Sequence, residues 1–178
     1  NNFEPICKQK FFSNCEQIKN KKNNNIFRAT ILQKINENDI DYVIHTLALF
    51  QHESIIKFHG YFKKEFTGFF NVKIVTDWPQ NGSLYDFFID TQNEEITNIT
   101  MTKKQIILIG IVRCMMILYK YNVVHGILTP ENILLDKDFY PHLNIFINST
   151  DLETEIVNDN EKLYEKEDVF SFGYIMKN

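Results

Sequence analysis

VVHGILTPENILLDKDFYPHLNIF, residues 123–146, is the stretch on which the reading of this chain turns. It contains H-x-x-L-x-P-E-N-I-L-L-D followed closely by P-x-L-x-x-F. By local rules alone, T-P-E-N reads as an ordinary helix start. Thr129 would be the cap and Pro130 the first helical residue, where a missing N–H costs nothing. Gly126, Ile127, Ile145 and Ile147 carry no ionisable group.

Working outward, residues 102–121 form the longest expected helix. It is apolar on nearly all sides (Ile106, Ile107, Ile109, Ile111, Val112, Met115, Met116, Leu118) and is therefore expected to be buried on more than one face. Upstream, Pro79 and Asn81-Gly82 break the chain, and SLYDFFID opens a helix with Ser83 as its cap. Two runs rich in β-branched and aromatic residues, 55–62 and 71–78, read as strands. Before them Ile40, Val43, Ile44, Leu47 and Phe50 recur at helical spacing behind an Asn38-Asp39 cap. Residues 1–35 alternate polar and apolar positions around NKKNNN, 20–25, and predict a hairpin with a long polar tip. Strands with one helix, then mostly helices, give an α+β chain in two lobes.

The bulk properties narrow the function classes. A chain of 178 residues with 44% hydrophobic content, 16 Phe and 8 Tyr can bury a core, which excludes disorder throughout. A formal charge of −4 and only a short basic run at 19–22 disfavour a nucleic-acid binder. Cys7, Cys15 and Cys114 are odd in number and form no C-x-x-C pair, so reduced thiols in a cytoplasmic setting are expected, and no zinc site. The most apolar stretch, 105–119, is interrupted by Arg113 and too short to span a bilayer, and no secretory signal is visible.

Five segments together resemble the eukaryotic protein kinase domain, closest in flavour to its tyrosine-kinase-like group. HESIIKFHGYF resembles the segment after the family's C-helix, and IVTDWPQNGSLYDFF its fifth strand, hinge and D-helix. HGILTPENILLD stands where H-R-D-L-K-P-E-N-I-L-L-D would, LNIFI where L-A-D-F-G would, and EKEDVFSFG resembles the start of the F-helix. The 18 residues from Ile127 to Ile145 match the family's separation between catalytic and metal-binding aspartates. The resemblance covers roughly residues 10–178 and is weak before residue 40. It implies a two-lobed fold: a β-sheet plus C-helix over 1–78, and a mainly helical lobe over 79–178 that stops early in the F-helix.

What the resemblance implies for chemistry is loss. Phosphoryl transfer needs metal ions, a lysine on the phosphates and a carboxylate for the hydroxyl proton. The base slot is Ile127, the neighbouring lysine slot Thr129 and the metal slot Ile145. Asn132 alone is a poor magnesium anchor and is read as holding its own loop. The glycine-loop slots fall on Ser13 and Glu16, and the first glycine of the chain is Gly60. If Ala29 matches the alanine of V-A-I-K, the strand lysine falls on Ile31, and otherwise on Leu32; its C-helix partner falls on Val43. If Leu32 takes the lysine slot, strand alternation puts Lys34 on the same face as the one substitute cation. Thr76 is the gatekeeper, Asp77 keeps the hinge carbonyl, Pro79 has no N–H for adenine, and Leu134 is the apolar floor. A combined loss of ~4 kcal/mol would move a dissociation constant from ~10 μM to ~10 mM. No metal and no cofactor are expected; ATP and Mg²⁺ enter only if the chain is a divergent active kinase.

The skeleton positions remain. The hydrophobic spine of the family falls on Leu47, Phe58, His125 and Phe146, and the aspartate that ties it to the F-helix on Asp168. Only 22 residues separate Ile145 from Asp168, so a short activation segment is expected, with Glu155 for the A-P-E glutamate. The expectation is a pseudokinase: a cytoplasmic protein-binding or allosteric module whose partners are other signalling proteins, an active kinase among them. Self-association is expected too; a nucleic acid or membrane partner is not.

Overall fold

The computed structural model describes residues 3–7, 15–92, 100–120, 125–126, 128–144 and 161–177. The described residues up to Trp78, apart from Glu53–Ile55, form one compact unit; Glu53–Ile55 and those from Pro79 onward form the other. Ile127, Ile145, Phe146, Ser13 and Glu155 lie outside the described residues.

The first unit is a five-stranded antiparallel sheet with one helix. Its strands are β1 (Phe3–Cys7), β2 (Cys15–Asn20), β3 (Ile26–Ile35), β4 (Phe58–Phe66) and β5 (Phe69–Asp77), in the order β1-β2-β3-β5-β4. The predicted polar hairpin tip is present between β2 and β3. Asn20 Oδ1 accepts from Lys22 N at 2.9 Å, and Asn24 takes φ 60, a left-handed conformation that asparagine tolerates. Helix α1 (Glu37–Leu49) is capped two residues earlier than expected, by Asn36, whose Oδ1 accepts from Asp39 N at 2.9 Å. Asn38 instead lies inside the first turn.

Each strand residue faces the side opposite its neighbours, so the register decides what meets what. One face carries Val72, Ile74 and Thr76 of β5, with Leu32, Thr30 and Arg28 of β3 directly opposite them. Lys63, opposite Val72, reaches Glu37 at 2.6 Å, which places the start of α1 over this face. The other face buries Ile18, Ala29 and Val75, with Phe3 and Phe27 packed on them. Phe3 and Phe62 of the two edge strands meet edge-on at 5.7 Å, so the sheet curls around that side.

The second unit is mainly helical: α2 (Leu84–Gln92), α3 (Met101–Lys120) and α4 (Glu161–Lys177), with a two-stranded sheet of β6 (Ile133–Leu135) and β7 (Pro141–Leu143). Ser83 caps α2 reciprocally. Its Oγ accepts from Asp86 N at 3.1 Å while Asp86 Oδ2 accepts from Ser83 N at 2.8 Å. The expectation for α3 is corrected. Ile107, Ile111, Cys114, Met115 and Leu118 are buried and share one stripe, whereas Met101, Ile109, Val112 and Met116 are exposed. The apolar composition all round the helix therefore does not mean burial all round. Gly110 lets α3 approach β7, because a Cβ there would collide with the Pro141 ring.

Candidate functional site: a hydrogen-bonded catalytic-loop frame

The described part of the segment that opened the sequence reading, residues 125–126 and 128–144, folds as a hydrogen-bonded frame. Pro130–Asn132 is one 3-10 turn, closed by Asn132 N donating to Thr129 O at 2.9 Å. Thr129 occupies the cap position at φ −121, ψ 159 but makes no side-chain cap bond. Asn132 O accepts from Asn144 N at 2.9 Å, which returns the chain after β7 to the turn. Ile133, Leu134 and Leu135 are fully buried, and β6 is tied to the start of α2 by Leu135 N donating to Gly82 O at 2.8 Å. Asp136 closes the following turn, its Oδ1 accepting from Asp138 N at 2.8 Å and Tyr140 N at 2.9 Å.

Two further anchors fix this frame. Asp168 on α4 is 1% exposed, and its carboxylate accepts from His125 N at 2.9 Å and Gly126 N at 3.0 Å. Successive amides converge on one carboxylate because Gly126 takes φ +74, a conformation that costs glycine nothing. Ser54, on the short segment 53–55 that belongs to this unit, accepts from Leu143 N at 3.0 Å and from the Cys114 thiol at 2.9 Å. Burial pushes that thiol up to about 12, so it stays a neutral donor.

The positions singled out by sequence are dispersed as follows. Leu47 is buried on α1, and Phe58 is half-buried at the start of β4, directly opposite Thr76. His125 is half-buried and held by its backbone to Asp168. Pro79 is buried, and Asp77 ends β5 with His59 at 2.5 Å. Ala29, Ile31 and Thr76 are not brought together. Ala29 pairs with Val75 and Ile31 with Lys73, on the face opposite to that of Thr76. The grouping of these three in one pocket is therefore corrected: alternation forbids it. Lys34 does not take over either. A bulge between Leu32 and Ile35 puts Lys34 at φ 57 and exposed, and Ile35 takes the inward place. Two residues were missed. Arg28, 3% exposed, stands opposite Thr76, and Lys73 beside Ile31 is paired with Glu16. Register, which the sequence does not state, was the signal needed.

In chemical terms the frame presents backbone and amide groups. Thr129 and Asn132 supply a hydroxyl and a neutral amide, and neither takes a proton at neutral pH. The model of the protein tyrosine and serine/threonine kinase family matches residues 13–168. The chain belongs to that family. Among curated proteins it is similar to the Oryza sativa subsp. japonica protein named “Probable inactive leucine-rich repeat receptor kinase XIAO”, 33% identical over 73 residues, 41% of this chain and 6% of that one. It is also similar to “L-type lectin-domain containing receptor kinase VII.1” of Arabidopsis thaliana, 31% identical over 106 residues, 58% of this chain and 15% of that one. The chain thus spans a small part of the length of either relative. Among the described residues, no helix is long and apolar enough to cross a membrane.

Kinases of this family use ATP and Mg²⁺, and the metal slot that the resemblance assigns, Ile145, supplies no oxygen ligand. Magnesium takes oxygen ligands in near-octahedral geometry. By sequence the metal and base slots, Ile145 and Ile127, offer hydrocarbon.

Proposed function

We propose that this kinase-family chain is a pseudokinase domain, a fold kept for protein binding or allosteric control and not for phosphoryl transfer. The observation that carries the reading is the contrast within one segment. The described backbone bonds around Asn132 and Asp168 hold the frame together, while by sequence the base, lysine and metal slots are filled by Ile127, Thr129 and Ile145. A positioned base alone is worth ~10²–10⁴-fold in rate. Three independent vacancies leave no route through which one restored group could act. The rice relative's name is consistent with this reading.

In this proposal the chain works in the cytoplasm, requires neither ATP nor Mg²⁺, and binds other signalling proteins, an active kinase among them. It also offers a surface for self-association, since Val169, Phe170, Tyr174 and Met176 lie exposed along one side of α4. The test is phosphotransfer from radiolabelled ATP to the chain itself and to a generic protein substrate, in the parent and in Ile127→Asp. Neither should incorporate label above a no-enzyme control. Magnesium-dependent incorporation by the parent would make the chain a divergent active kinase.

A further inference from the structure

We propose that Arg28 is the residue that closes the sheet face on which a nucleotide base would lie. The inference rests on reading the chain as a kinase fold that works without nucleotide, and it identifies the side chain responsible in the first unit. With Thr76 read as the gatekeeper that the family resemblance implies, a planar base packed against the sheet lies on the face of Thr76. On that face the β3 residue directly opposite Thr76 is Arg28. The small side chain of Ala29 points the other way, into the cluster with Ile18 and Val75.

The direction of the arginine decides what it does. Its register partner on β2 is Gln17, yet its Nη2 donates to Cys15 Sγ at 3.2 Å, two residues further along β2. Cys15 Sγ also lies 3.4 Å from Thr30 Oγ1. The side chain therefore runs diagonally from β3 to β2, lying along the sheet and not standing off it. Arg28 is 3% and Thr76 0% exposed, so both side chains lie buried on this part of the face. A guanidinium stem spread over two strands occupies the area a base would need.

Adenosine is the probe, since it needs neither phosphate contacts nor a metal and so reports the base face alone. In the parent, adenosine at about 5 mM should leave the melting temperature and the methyl resonances of Thr76 and Thr30 unmoved. Arg28→Ala should gain a rise of about 2–4 °C, the shift expected of a ligand at roughly five times its dissociation constant in a domain this size. Arg28→Ser, which leaves a hydroxyl near Cys15, should behave likewise, and Arg28→Met, which keeps the bulk, should stay silent. Movement of the Thr76 or Thr30 methyls in the parent overturns the proposal whether or not any variant folds. So does a folded Arg28→Ala or Arg28→Ser chain that ignores adenosine, or an Arg28→Met chain that responds as Ala does. Adenosine binding by the parent without phosphotransfer would sink this inference and leave the pseudokinase reading standing; magnesium-dependent phosphotransfer would sink that reading itself.

Discussion

On the pseudokinase reading, the loop frame at residues 125–144 and the β2–β3 part of the sheet have both lost the side chains the family's chemistry needs, yet they have lost them differently. In the loop frame the bonds that hold the chain engage its own backbone: Asn144 N donates to Asn132 O, Leu135 N to Gly82 O, and His125 N and Gly126 N to the side-chain carboxylate of Asp168. Reactive side chains can be exchanged there without touching what keeps the loop in place. On the sheet the backbone ladder also persists, but a side chain's role depends on which face it occupies. An exchange there, with a bulge at Leu32–Ile35, changes what the face presents: Arg28 in front of Thr76, and Lys34 turned out to solvent. One region preserves a shape; the other alters a surface.

If the frame rests on these anchors, of which the Asp168 carboxylate is the one supplied by a side chain, Asp168→Ala should be the most damaging single change. It strands two amide donors beside a position that is 1% exposed. At ~1–3 kcal/mol for each unmet buried donor, a loss of about 4 kcal/mol is expected in denaturant unfolding. A loss under ~1 kcal/mol would break the comparison, because the loop would then be held by something else.

The next effect is pH-dependent. The Cys114 thiol is raised from 9.0 to about 12 mainly by burial, so it stays protonated in the folded chain while the unfolded chain loses its proton first. The folded state then binds more protons, and stability falls as pH rises from 9 towards 12. At about 1.4 kcal/mol per pH unit, roughly 3 kcal/mol should be gone by pH 11. Other groups titrate in that range, so the readout is the difference from Cys114→Ala, whose stability deficit should shrink over the same window.

Gly110→Ala should cost about 2 kcal/mol, since the added methyl meets the Pro141 ring and overpacking outweighs the gain in helix propensity. A stabilised variant would mean that α3 does not approach β7 this closely.

On the sheet the expected effect is smallest. Ile31→Lys restores the family's lysine at the position that sequence alignment suggests. Ile31 is only partly buried and lies on the face of Lys73, away from Thr76, so stability should change by about 1 kcal/mol or less. No ATP binding should appear. A gain of ATP binding in this variant would show that Ile31, not Leu32 or Thr30, shares the face of the nucleotide site.

These contrasts mark how far the sequence could be read. The helix after Ser83 and the polar tip at 20–25 are local and followed from residue type and spacing, whereas Asp168 was singled out only through the family resemblance. The β3 faces did not. In FRATILQK the more apolar set, Phe27, Ala29 and Ile31, turns away from α1, while Arg28, Thr30 and Leu32 turn towards it. Polarity alone assigns such a strand the wrong way round, because the curled side of the sheet has an apolar core of its own. The bulge that removes Lys34 has no composition signal, and the cap at Asn36 lost to Asn38 in the reading because both are good capping residues. The α3 stripe was misjudged for another reason: apolar content shows what could be buried, not what meets a neighbour.

The central claim is that a kinase frame persists here without nucleotide chemistry, and the most direct measurement is a thermal melt with and without Mg-ATP. A ligand raises the melting temperature only when its concentration exceeds its dissociation constant. With that constant near ~10 mM, Mg-ATP at about 2 mM should move the midpoint by less than about 1 °C. A rise of several degrees that disappears when magnesium is chelated would contradict the account.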